Sequence, residues 1–264
     1  MFAFRLPVSR IEVELRQPAG CDDVLLAEAD GADAALAEAL VGALARPIEG
    51  GALVWADMTL TDLDAALLAI RRLVLGDRVE SSARCAARAG STGGCGARID
   101  LGFQITDYLV QHRPRMPRGV TRADEAGWFR LDESTVSFRL PSTADLEAIA
   151  GERDAVQMLA WRCIRPDDVS ARLRRRIERA MDALAPNLYG ELEGVCPECG
   201  AIVAIAFDPQ RYVLAELRQR AAFVFEEVHL IAGGYRWSEQ EILQMPRARR
   251  ARYAELIHES RSGG

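Results

Sequence analysis

The sequence predicts an α+β fold in which one unit is built twice: a β-hairpin, helices, a cysteine-bearing hairpin and a closing helix, with a helical extension at the C-terminus. Three observations carry this expectation. Short apolar segments alternate with period two where the chain opens, and longer ones follow at helical spacing. Cys95-Gly-Ala-Arg-Ile-Asp-Leu-Gly-Phe103 aligns without gaps to Cys199-Gly-Ala-Ile-Val-Ala-Ile-Ala-Phe207, and Tyr108 matches Tyr212 just beyond. Two shorter anchors precede that match in the same order, Phe4-Arg5-Leu6-Pro7 with Phe138-Arg139-Leu140-Pro141, and Arg46-Pro47 with Arg165-Pro166. The chain then divides into a first copy over 1–112, a linker over 113–133, a second copy over 134–220 and an extension over 221–264.

Each element has a local reason. Phe4 and Leu6 alternate into Pro7, a strand ending in a turn, and Ile11, Val13 and Leu15 alternate with Glu12 and Glu14 as its half-buried partner. Leu63, Leu67, Ile70 and Leu73 share one face of a helix over 60–75. Asp22-Asp23 and Asp167-Asp168 mark helix starts, where carboxylates complement the dipole. Arg113-Pro114-Arg115-Met116-Pro117-Arg118-Gly119 reads as linker, with Trp128 to Leu131 folding back into the second copy's first hairpin. Ser142 opens a helix whose Leu146, Ile149, Val156 and Leu159 share a face. Over 168–184, Val169, Leu173, Ile177 and Met181 form the inner face, and Arg172, Arg174, Arg175, Arg176 and Arg179 the remainder, a solvated face or a protein contact. Ala201 to Phe207 is a strand, after which Asp208 caps a helix with Pro209 in its first position. In the extension, an apolar helix with Phe223, Phe225, Val228, Leu230 and Ile231 is expected to stop at Gly233-Gly234. Ser238 and Glu241 form a capping box, and Pro246 opens a last helix.

Composition narrows the function. The 264 residues carry a formal charge of −6, and all 33 basic residues are arginine, so no global attraction to nucleic acid is expected. No apolar run approaches the ~20 residues of a membrane span, and the start lacks a signal-peptide pattern, so a reducing cytoplasm is the expected location. With three histidines, no nucleophile–base set and no phosphate-binding glycine loop, neither an enzyme nor a small-molecule substrate is expected.

Cys196-Pro-Glu-Cys199-Gly200 is the sharpest chemical signal. Two cysteines two residues apart, followed by glycine, form a zinc knuckle that offers two of the four ligands a tetrahedral zinc needs. The repeat supplies the other two: Cys95-Gly96 is the counterpart of Cys199-Gly200, and Cys85 lies upstream across a stretch rich in Gly, Ala and Ser. Cys85, Cys95, Cys196 and Cys199 are therefore the expected ligands of one structural zinc pinning the copies together. A site that has lost its metal and a redox pair remain as alternatives, though a redox Cys-x-x-Cys would precede a helix and here a strand follows. Cys21 and Cys163 read as isolated thiols.

The knuckle with its short strand and Phe-Asp-Pro helix start, together with the ending His229-Leu-Ile-Ala-Gly-Gly-Tyr-Arg-Trp237-Ser-Glu-Gln-Glu-Ile-Leu-Gln-Met-Pro-Arg247, resembles the T-even-type phage baseplate hub assembly chaperones and related proteins of contractile injection systems. The resemblance covers 134–258 and reaches the first copy only through the repeat. It implies a non-enzymatic assembly or structural protein that binds hub or tail proteins. The competing reading is a zinc-ribbon nucleic-acid-binding regulator. Phe223, Phe225, Tyr235, Trp237 and Tyr253 concentrate aromatic residues in the extension, and arginine and aromatic side chains dominate protein–protein contacts. Trp237, Arg247, Arg250 and Tyr253 are accordingly the expected partner-binding residues.

Overall fold

A computed structural model describes residues 2–86, 95–166 and 168–262. The first sheet holds β1 (Phe2–Arg5), β2 (Glu12–Leu15) and β3 (Ala45–Pro47) in that order, all antiparallel. Between β2 and β3 run α1 (Gly20–Glu28) and α2 (Ala34–Leu44), the latter started by Asp33, whose carboxylate accepts from Leu36 N–H at 3.0 Å. Next comes α3 (Leu60–Leu75), with Thr59 as its N-cap. Leu63, Leu67 and Ile70 are fully buried, as their spacing required, but the burial extends to every residue from Thr61 to Arg71. A helix with polar residues inside on several faces sits at the centre of the molecule. Val13 and Leu15 of the sheet, Leu40 and Leu44 of α2, and later elements close around it to form the main core.

The chain continues through β4 (Arg78–Arg84), β5 (Arg98–Gln104) and α4 (Ile105–Gln111). A second sheet orders β6 (Val120–Arg122), β7 (Trp128–Leu131), β8 (Ser137–Arg139) and β9 (Ile164–Arg165), with α5 (Thr143–Ala148) and α6 (Ala155–Cys163) inserted before β9. It packs on α7 (Ala171–Leu184) through Phe138, Ile164, Ile177 and Leu184, a separate smaller core. Then come β10 (Gly190–Val195), β11 (Ile202–Phe207), α8 (Pro209–Ala221), α9 (Val224–Tyr235), α10 (Glu239–Leu243) and α11 (Arg247–Ser262).

Apart from a single helical turn at Trp55–Asp57, the order of elements from β1 to α4 recurs from β7 to α8, and the pairing of the last two strands of each sheet is alike. Glu14 faces Arg46 and Leu15 faces Ala45; Ser137 faces Arg165 and Phe138 faces Ile164. Each central strand then leads to an arginine that clamps the third residue of the following helix. Arg16 bonds Asp22 at 2.6 and 2.7 Å, and Arg139 bonds Asp145, one contact being 2.9 Å. Asp22 and Asp145 also accept from the N-cap N–H groups of Ala19 and Ser142. Burial alone would raise the Asp145 carboxyl; Arg139, the Ser142 N–H and Arg162 together outweigh it and hold it well below the usual range.

This geometry corrects several expectations. Phe138-Arg139 corresponds to Leu15-Arg16 on the central strand, not to Phe4-Arg5, because Phe4 lies on the neighbouring strand opposite Val13. The segment 113–133 holds β6 and β7, two of the four strands of the second sheet. Leu146 to Leu159 is not one helix face: α5 ends before Gly151, whose φ of 82° breaks the helix, and Val156 on α6 is 71% exposed. The helix expected from 168 starts at Ala171, capped by Ser170; Asp167 lies outside the described residues, as do 87–94 of the stretch between Cys85 and Cys95. Finally, α9 runs through Gly233-Gly234 and ends at Arg236, in the left-handed region at φ 59°. Gly234 serves close packing instead: a Cβ there would come within 2.9 Å of Ile257 Cδ1. Among the described residues no helix is long and apolar enough to cross a membrane.

One buried carboxyl in α3 has a measurable consequence. Asp64 is 3% exposed and accepts a hydrogen bond from Gln210 Nε2 of α8 at 2.7 Å. Burial pushes its pKa up to about 7, Gln210 opposes that, and the nearby Asp208 carboxylate adds to it. The protonated form is the one the fold favours. Its stabilisation is full below the ordinary Asp range near ~4 and is lost as pH rises through about 7. Asp64→Asn is expected to raise the Tm relative to wild type at pH 8 and to leave the difference near zero or negative at pH 4. Parallel melting curves across that interval are the check.

Candidate metal centre

The centre is assembled by two hairpins that stand face to face. In β4–β5 and β10–β11, alternate residues turn inward: Val79, Ile99, Leu101 and Phe103 from one, Leu192, Val203, Ile205 and Phe207 from the other. At the base the Phe103 and Phe207 rings meet edge to face, with centroids 5.1 Å apart. Tyr108 and Tyr212 tie the halves reciprocally: Tyr108 Oη donates to Leu188 O at 2.6 Å, and Tyr212 Oη to Glu80 O at 3.1 Å.

At the opposite end each hairpin closes on its cysteine pair with the same backbone bonds. Cys85 N–H donates to Ala97 O at 2.8 Å and Gly96 N–H to Cys85 O at 3.2 Å. Cys196 N–H donates to Ala201 O at 2.9 Å and Gly200 N–H to Cys196 O at 2.9 Å. Gly96 and Gly200 sit at φ 64° and 71°, a left-handed turn that a residue with a Cβ adopts at a cost. So the spacing of nine residues in one pair and two in the other ends in one knuckle geometry.

The sulfurs pair crosswise between the hairpins. Cys85 Sγ lies 3.7 Å from Cys199 Sγ, and Cys95 Sγ 3.8 Å from Cys196 Sγ; all four lie within 4.8 Å of one another. No disulfide joins any of the six cysteines, and these separations far exceed the ~2.05 Å of an S–S bond. They match the edge of a tetrahedron around an ion with Zn–S bonds of ~2.3 Å, which is about 3.8 Å. Cys85 and Cys196 are buried, Cys95 is half-buried and Cys199 exposed. The N–H groups of Cys199 and Glu198 directed at the sulfur bring the Cys196 thiol down to about 7, against the effect of burial. At Cys95 the Ala97 N–H pulls downward, but burial and the Cys199 and Cys196 thiols outweigh it and push the group up. Four thiols at this spacing can hold one metal ion, and the soft donor set suits zinc. With all four positions taken by protein, no coordination site is left for water or substrate.

The other expected site residues lie elsewhere, in the extension. Trp237 stacks on Tyr235 at 4.9 Å, and Tyr253 meets both rings edge-on at 5.1 and 5.4 Å, beside Ile231, Ile242 and Ile257. Arg247 and Arg250 do not form an outward arginine face. Arg250 is 1% exposed; its guanidinium bonds Asp23, Glu227 and the Met245 carbonyl, and Arg247 also bonds Asp23. The extension packs on α1 of the first half. There Gly20 N–H donates to Met245 O at 3.2 Å, and a Cβ on Gly20 would lie 2.7 Å from Leu243 Cα. Asp23, expected only as a helix start, is the anchor of this contact. No local signal pairs it with an arginine more than two hundred positions away. No protein-family model, curated protein or solved structure matches the chain.

Proposed function

We infer that the chain is a non-enzymatic assembly or structural protein of a contractile-tail baseplate, made of a duplicated unit whose halves are pinned by one structural zinc. The observation that carries the structural part is the four-thiol centre, its four donors all from protein and built half from each hairpin. The recurrent element order, strand register and arginine clamp support the duplication. The partner class rests on the resemblance of the C-terminal half to baseplate hub chaperones. The test is co-expression with the hub, tube and spike proteins encoded beside the gene, followed by size-exclusion chromatography. A complex of fixed stoichiometry with one of them is the expected result. Neighbouring genes that encode no tail proteins, or tail proteins that never co-elute, would overturn the baseplate assignment and leave the zinc scaffold standing.

A further inference from the structure

Arg247 and Arg250 are used internally, but a second group of arginines lies on α7. Arg172, Arg175, Arg176 and Arg179 fall along one flank of that helix. Among the described residues none of them, nor Arg118, takes part in an ion pair. The segment leading to β6 runs along α7, fixed by the bond from Arg115 N–H to Ala183 O at 2.7 Å. Between them is a cleft of about 330 Å³, with Val120, Leu131 and Ala180 beneath and Arg118, Arg176 and Arg179 around it. Three cations converge on an apolar floor with no carboxylate among the lining residues.

The first half shows what such a face is for. Counted from their N-caps Thr59 and Ser170, Asp64, Ala65 and Leu68 of α3 hold the places of Arg175, Arg176 and Arg179 of α7. In α3 all three are buried, and α8 packs against that helix, its Gln210 bonded to Asp64. In α7 the corresponding places are open to solvent to different degrees and cationic. Where α3 carries residues buried under α8, α7 carries arginines beside a cleft.

We propose that this face of α7 is the docking seat for an acidic amphipathic segment of a partner protein, its carboxylates meeting Arg118, Arg176 and Arg179 and its apolar side chains meeting the floor. The proposal deepens the scaffold function inferred above and rests on it for the identity of the partner, not for the chemistry of the seat. Charge complementarity selects an acidic occupant. A peptide fits better than a nucleic acid, since the apolar floor suits its side chains and no aromatic ring lines the cleft for a base to stack on.

The experiment measures fluorescence anisotropy of the intact zinc-loaded chain with two labelled probes, a helical peptide of Glu and Leu in heptads and a DNA duplex. Wild type should bind the peptide in a salt-sensitive manner. Arg176→Glu with Arg179→Glu should weaken that at least about tenfold while leaving the melting temperature in place. Arg84→Glu, a charge reversal on an exposed strand position elsewhere, should change it little. Absence of peptide binding, an equal affinity for the double variant, or tighter DNA binding lost in the same variant would each overturn the proposal. The two readings separate cleanly. Peptide binding with no tail protein captured sinks the baseplate assignment alone. A tail protein captured equally by wild type and the double variant sinks the seat alone.

Discussion

Replacing Cys196 with serine is expected to cause the largest loss of stability of any single substitution in this chain, several kcal/mol, and to release the metal. The hydroxyl is a poor zinc ligand, so three thiols remain around an ion that needs four. The new hydroxyl oxygen could still accept from the Cys199 and Glu198 N–H groups, but the shorter side chain would leave a gap at a residue that is 1% exposed, among Ile99, Val203 and the other cysteines. Structural zinc contributes on the order of 10 kcal/mol to folding in isolated zinc fingers. Here the loss should be smaller, because Phe103, Phe207, Tyr108 and Tyr212 hold the base of the hairpins together without it. Metal analysis of native protein should give one zinc per chain, and chelation should reproduce the variant's melting curve. Native protein without metal would refute the site, and iron in place of zinc would refute its assignment.

Arg250→Ala should cost about 3–5 kcal/mol, as expected when one partner of a buried ion network is removed. Arg250 and Asp23 are 1% and 0% exposed, so the carboxylate depends on protein groups for its partners. The substitution leaves Asp23 with Arg247 alone and Glu227 without its 2.9 Å contact, and it opens a void against α1. Combining Arg250→Met with Asp23→Leu should recover part of the loss, since it removes the two fully buried charges together and leaves the partly exposed Arg247 and Glu227 unpaired. Chemical denaturation of the three proteins decides it. A change below ~1 kcal/mol in the single variant would place this contact with exposed pairs such as Arg252–Glu255, which contribute little. Limited proteolysis should show the single variant opening first between α8 and α9, where the extension leaves the body.

Much of the molecule follows from local signals. The helix over Leu60–Leu75 was legible end to end from its apolar spacing, and the caps at Ser142, Asp208 and Ser238 each accept the backbone bond their position implies. The cysteine quartet was legible because a knuckle is a local turn and its counterpart has a matching strand after it. The helix, the caps and the Cys196–Cys199 turn depend on residues within a few positions of one another; the first cysteine pair was reached only through the repeated string.

What sequence could not decide is which face of an element finds a partner. Arg250 and Arg176 are both helical arginines; one is sealed against Asp23 and the other lies beside an open cleft, because only the first meets a carboxylate brought in by a distant helix. Phe4 and Phe138 head the same four-residue string, yet they occupy different strands, since register is set by cross-strand pairing and not by the string. Asp64 reads as an ordinary carboxylate until α8 closes over it. The sequence by itself determined the helix over Leu60–Leu75, several caps and the thiol set. Tertiary structure decided which charges are buried, which are open and which strands pair, because the energy of a charge or a strand depends on what stands opposite it.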